Sequence, residues 1–125
     1  MSDGGKPWDL KDRLVKYSLR IIKMYSSLPK GDKVAMVIGH QVLRSGTSPG
    51  AHHREALRAR SDREFISKME GGLQELEETD YWLELLVGSD IVSADQMKSL
   101  RAETKELNAI FTSSIKTVKN RRDKS

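Results

Sequence analysis

With 125 residues and no cysteine, the chain is sized for one domain and carries no disulfide, zinc-thiolate site or thiol chemistry. Hydrophobic residues make up 37% and charged residues 32%, and neither a membrane-spanning apolar run nor a signal peptide is visible, so a soluble cytoplasmic protein is expected. The formal charge of +4 and pI near 9.4 are compatible with a polyanionic partner without requiring one.

Residues 1–7 read as a disordered polar lead-in to a bundle domain over 8–119, followed by a basic tail over 120–125. A first helix is expected from Trp8 or Asp9 to about Ser27, because Leu10, Leu14, Tyr17, Ile21, Tyr25 and Leu28 recur at spacings of three and four. Val15, Leu19 and Ile22 form a second apolar stripe about 130° round the helix. A helix in a lone bundle needs one wide stripe, so two predict packing against another subunit. Arg13, Lys16, Arg20 and Lys23 occupy the remaining face, either as a solvated charge face or as a phosphate-binding or partner-facing strip.

Leu28-Pro29-Lys30-Gly31 is turn chemistry, and Asp32 is a suitable N-cap for a second helix beginning near Lys33. Val34, Val37, Ile38, Gln41, Val42 and Ser45 give that helix its period. Propensity ends it at Gly46, Pro49 and Gly50, yet Ala51 to Arg60 is helix-prone again, so a long helix kinked around Ser48 to Gly50 stays open. Ser61 and Glu64 are spaced as a capping box for a third helix running to about Val87. Phe65, Met69, Gly72, Leu76, Leu83 and Leu86 mark its inner face, and its outer face is acidic, which favours adjacency to the basic first helix. Ser93 and Gln96 form a second box, opening a fourth helix whose seam is Met97, Leu100, Thr104, Leu107, Phe111, Ser114 and Val118. Lys116, Lys119, Arg121, Arg122 and Lys124 close the chain, where the helix dipole favours cations. With no strand signal, the fold class is all-α, an antiparallel up-down four-helix bundle.

Chemistry is sparse. The candidate metal ligands His40, His52, His53 and Glu55 have poor spacing, and His52 with Glu55 is half a site, so no metal or cofactor is assigned. Ser45 or Ser48 with His52 and Glu55 lacks evident oxyanion donors, so no catalytic residue is assigned and the chain reads as non-enzymatic. Tyr81 and Trp82 have the chemistry to stack bases, but on this helix they read as core or subunit contacts.

Two blocks carry a family pattern: Arg44 followed by Ser48-Pro49-Gly50-Ala51-His52-His53-Arg54-Glu55-Ala56, then Ser61 with Glu64-Phe65-Ile66-Ser67-Lys68-Met69 and Glu77-Glu78-Thr79-Asp80-Tyr81-Trp82-Leu83-Glu84-Leu85-Leu86. In these the chain resembles the four-helix-bundle proteins encoded in intervening sequences of bacterial 23S ribosomal RNA genes, a fold shared with accessory proteins of diversity-generating retroelements. The departures are Pro49, where the pattern has a hydrophobe, and His52, where it has Asn. The resemblance implies a long second helix through Ser48 and a homopentameric ring. For the retroelement proteins it implies a reverse-transcriptase partner and nucleic acid held by basic surfaces. The expected function is thus a homo-oligomeric scaffold binding RNA or DNA, or a ribonucleoprotein, through Arg13, Lys16, Arg20, Lys23, Lys116, Lys119, Arg121 and Arg122. The alternative is a protein-interaction ring serving a reverse transcriptase. Arg44, Ser48, His52, Glu55, Tyr81 and Trp82 are expected to be structural.

Overall fold

The structure is a computed structural model that describes residues 10–124. The lead-in over 1–7 and the expected helix start at Trp8 or Asp9 lie outside these residues. Four helices follow in order, α1 (Leu10–Ser26), α2 (Lys33–Leu57), α3 (Asp62–Gly88) and α4 (Ala94–Asp123), with no strand among the described residues. Short turns bring each helix back against its predecessor, giving the antiparallel bundle that the periodicity predicts. None of the helices is long and apolar enough to cross a membrane.

The helix ends follow from local chemistry. Asp32 accepts from the Ala35 amide at 3.1 Å, and Ser61 accepts from the Glu64 amide at 3.1 Å. The reciprocal half of the first expected box differs, because the Glu64 carboxylate takes the Arg60 amide at 2.7 Å rather than that of Ser61. At Ser93 both halves form, Ser93 Oγ accepting from the Gln96 amide and Gln96 reaching back to the Ser93 amide. The α3 terminus is a Schellman turn: the Ile91 amide bonds the Leu86 carbonyl, the Asp90 amide bonds the Val87 carbonyl, and Asp90 takes the left-handed conformation at φ 63°. Gly88, the residue that sequence would place there, stays helical.

α2 is one continuous helix with Pro49 inside it, so the end expected from propensity does not occur. Its buried residues explain this: Ala35, Gly39, Val42, Gly46, Pro49, His53 and Ala56 alternate in steps of four and three. The inner face is made of small residues, and burial of that whole stripe outweighs the local preference to stop. Val34 and Val37, expected inside, are 55% and 60% exposed. A Cβ on Gly39 would meet Leu28 at 2.6 Å, and one on Gly46 would meet Ile21 at 2.8 Å, so α1 lies against the α2 backbone itself.

The core runs the length of the bundle through Leu14, Tyr17 and Ile21 of α1, Met69, Leu76 and Leu83 of α3, and Met97, Leu107 and Phe111 of α4. Ile66 is more deeply buried than Phe65, and Ile115 takes the seam position that strict heptad spacing gives to Ser114. Two hydroxyl pairs sit inside. Thr104 donates to the Leu100 carbonyl, which leaves the Tyr17 hydroxyl to donate to Thr104 Oγ1 at 2.7 Å. Ser45 donates to the Gln41 carbonyl, and its Oγ lies 2.8 Å from that of Thr79. Burial pushes the Tyr17 hydroxyl pKa up, so it stays a donor at any physiological pH.

The basic face of α1 meets α4 rather than acidic α3. Arg13 binds Glu103 through two bonds of 2.8 Å and Glu106 through one of 2.7 Å. The acids of α3 are shared between its two neighbours, Glu75 and Glu78 going to Arg44 of α2, and Glu70, Asp62 and Asp80 to Lys119, Arg121 and Arg101 of α4.

Candidate nucleic-acid interface

The eight cations singled out in the sequence fall into two sets. Arg20 donates to Ser99 Oγ at 2.9 Å, so this part of α1 lies at the α4 N-terminal end. Lys116, Lys119, Arg121 and Arg122 lie in the last turns of α4. Twenty residues of helix separate Ser99 from Lys119, roughly 30 Å at 1.5 Å per residue. Arg20 and Lys23 therefore do not share a surface with the α4 cations.

Within the α1 set, Arg13 is committed to two carboxylates, whose hydrogen bonds hold its guanidinium pKa further up. Lys16 and Lys23 are exposed and meet no carboxylate among the described residues. Arg20 and Lys23 also edge a cleft of about 560 Å³ floored by Met24, Leu28, Ile91 and Met97. In the α4 set, Lys119 pairs with Glu70 at 3.2 Å and Arg121 with Asp62 at 3.1 Å. Lys116 and Arg122 are exposed and meet no carboxylate among the described residues.

The α4 set has company that the motif reading passed over. Arg54, Arg58, Arg60 and Arg63 crowd the end of α2 and the turn into α3, all exposed and without a described ion pair. The Arg121–Asp62 bond joins this turn to α4, and Arg60 and Arg121 line one cleft of about 440 Å³. One end of the bundle is thus cationic across two chain segments, whereas most other cations near an acid are neutralised. The signal was visible as four arginines within residues 54–63, but Ser61 and Glu64 drew attention to capping instead.

The family-pattern residues occupy a different surface, the α2–α3 seam. Arg44 bonds Glu75 at 3.1 Å and also Glu78, which accepts from Trp82 Nε1 at 2.9 Å. Ser48 donates to the Arg44 carbonyl at 2.7 Å, and Glu55 pairs with Lys68 at 3.1 Å. The His52 ring packs against Gly71, where a Cβ would come within 2.8 Å of it, and its Nδ1 is enclosed without a hydrogen-bond partner. Tyr81 is exposed and its ring tilts against that of Trp82 at 5.1 Å. Arg44 and Glu55 join α2 to α3 through Glu75, Glu78 and Lys68, the Ser48 and Trp82 bonds stay within their own helices, and His52 and Glu55 do not meet. Among the described residues no group of three or more His, Asp and Glu converges on a point where an ion would sit.

The family model described as 23S rRNA-intervening sequence protein matches residues 9–113. A crystal structure of a protein of unknown function from the S23 ribosomal protein family of Bacteroides thetaiotaomicron is similar to the chain at 38% identity. The match covers 89% of this chain and 98% of that one, with a TM-score of 0.82. No curated protein matches the chain.

Proposed function

Because the chain belongs to the 23S rRNA-intervening sequence protein family, named for ribosomal RNA genes, we propose that it is a non-enzymatic, homo-oligomeric scaffold that binds RNA or DNA, alone or as ribonucleoprotein. The observation that carries this reading is the cationic end of the bundle, where Arg58, Arg60, Arg63, Lys116 and Arg122 are exposed and unneutralised among the described residues. Such a surface neutralises phosphates and releases counterions, which gives affinity with little sequence preference. Lys16 and Lys23 extend the interface along α1 where the assembled particle brings them to the same strand.

Anisotropy of a labelled structured RNA tests the reading. Binding is expected at micromolar protein in about 50 mM salt, falling by orders of magnitude towards 200 mM. Replacing Arg58, Arg60 and Arg122 together by Glu is expected to cost more than roughly tenfold, and Lys16→Glu with Lys23→Glu less. No binding at low salt refutes the proposal.

A second reading follows from the exposed apolar stripe of Val15, Leu19 and Ile22. An oligomeric ring assembled through it would serve a protein partner such as a reverse transcriptase. A complex with purified reverse transcriptase that survives nuclease treatment favours this reading over the first.

A further inference from the structure

The third helix carries an acidic outer surface and the first a basic one, yet inside the chain the two are diagonal. α1 packs on α2 and reaches α4 through Arg13, while α3 packs on α2 and α4 in turn. Their outer faces therefore keep charges unanswered. On α1, Lys16 and Lys23 are exposed and form no ion pair among the described residues, and they flank the exposed stripe of Val15, Leu19 and Ile22. On α3, Gln74, Glu77, Tyr81 and Glu84 make an exposed ridge, with Tyr81 54% exposed and neither glutamate ion-paired among the described residues. Ile21 lies where Gly46 leaves room for it, and Ser45 bonds Thr79, so the two faces stand within about one helical turn of the same height on the bundle.

The two faces match in spacing and in hand. Lys16 and Lys23 are one heptad apart with Leu19 between them, and Glu77 and Glu84 are one heptad apart with Tyr81 between them. At about 100° per residue the lysines lie roughly 40–60° to one side of Leu19, and the glutamates roughly 40–60° to the opposite side of Tyr81. Helices that face each other in parallel bring opposite flanks together, as e and g positions do. With Leu19 set against Tyr81, Lys16 falls within one residue of Glu77 and Lys23 within one of Glu84, about 1.5 Å of rise. On the other flank Ile22 meets half-buried Leu85. An antiparallel two-fold pairing of the α1 stripe with itself would instead bring equal flanks together and set Lys16 against Lys23 of the second copy, like charge on like.

We infer that copies of the chain join head to tail, the apolar and basic face of α1 seating on the Glu77, Tyr81 and Glu84 ridge of α3 in the next copy. The inference rests on the homo-oligomeric half of the proposed function and deepens it, and it does not depend on nucleic-acid binding. Because α1 and α3 run the same way within the bundle, the parallel pairing keeps every copy pointing in one direction. The contact is heterologous: each copy offers one face and receives on another. The lysines stand at its rim, where an ammonium group with three donors can hold a carboxylate and still meet a phosphate oxygen.

The chain has no cysteine, so introduced thiols report the contact without background. Leu19→Cys and Tyr81→Cys chains are oxidised, each alone and co-expressed, and run on a non-reducing gel. A disulfide-linked pair is expected from the co-expressed chains and from neither variant alone. A cross-link in Leu19→Cys alone marks a two-fold contact and overturns the inference, as does the absence of any cross-link from the co-expressed pair. Charge reversal is the second arm, read as light-scattering mass of the full chain after nuclease treatment. Lys16→Glu with Lys23→Glu, and Glu77→Lys with Glu84→Lys, are each expected to lower the mass towards that of one chain, and all four changes together to restore the parent mass. A combined variant as dissociated as either pair overturns the inference. A parent chain that runs at single-chain mass overturns the oligomer reading along with it, whereas an oligomeric parent without the expected cross-link overturns the pairing alone.

Discussion

At Gly46 the α2 backbone comes so close to α1 that a methyl group would lie 2.8 Å from two carbons of Ile21, which is wholly buried. At Gly50, one turn on, the nearest atom would be Leu14 Cβ at an ordinary 3.6 Å. Both substitutions by Ala gain up to about 1 kcal/mol of helix propensity. Gly46→Ala adds an overpacking cost of about 1–3 kcal/mol and is expected to be net destabilising, whereas Gly50→Ala is expected to stabilise. Urea unfolding of the two variants checks the opposite signs. His53 supplies a pH signature. Burial, then the positive charges of Arg54 and Lys11, hold its pKa below the ordinary value of 6.5, with Phe111 against the ring and Glu106, which lines the same cleft, committed to Arg13. Between the folded value and about 6.5 the unfolded chain carries the extra proton, so this contribution is whole above that window and lost as pH falls through it. His53→Leu should therefore show a smaller fall in melting temperature between pH 7.5 and 5 than the parent chain, by calorimetry in matched buffers.

Among the elements, α4 was the most legible and α2 the least, for one physical reason. The α4 seam is written in large apolar residues, Met97, Leu100, Leu107 and Phe111, whose spacing announces the buried face. The inner face of α2 is written in Ala35, Gly39, Gly46 and Pro49, which carry almost no hydropathy, while its conspicuous valines at 34 and 37 point outward. Propensity read the same glycines and proline as a stop. The family pattern, which implied a long helix, outweighed it. Pro49 still lacks the amide that would bond the Ser45 carbonyl. Pro49→Ala removes a helix penalty of about 3 kcal/mol and loses two buried methylenes worth about 1.6 kcal/mol. A net gain of about 1 kcal/mol in chemical denaturation is expected; a loss would mean that the ring's packing dominates.

For the molecule as a whole, the exposed stripe of α1 decides what assembly is expected. Val15, Leu19 and Ile22 are 39%, 58% and 43% exposed, on a face that none of the described helices covers. Such a line favours cover by another surface, which the proposed oligomer supplies. Leu19→Glu is expected to bring the light-scattering mass down towards the 14.1 kDa of one chain with little change in helix content. A parent chain that already runs at that mass removes the basis for a ring. The candidate interface was half legible at this scale. The basic tail showed in the sequence, but its partner arginines became part of the same surface only when the α2–α3 turn folded against α4.

The Tyr17–Thr104 bond has a further consequence, for alignment. Seams built on steps of three and four nearly repeat every seven residues, so neighbouring helices have a competing alignment displaced by one heptad, roughly 10 Å. Hydrophobic contact alone discriminates poorly between the two. In the displaced alignment the Tyr17 hydroxyl would face Phe111 or Met97, both fully enclosed and neither an oxygen acceptor. An orphaned buried hydroxyl costs about 1–3 kcal/mol, a penalty that falls only on the wrong alignment. One polar pair therefore acts as a vernier mark that tells α1 where along α4 to stop.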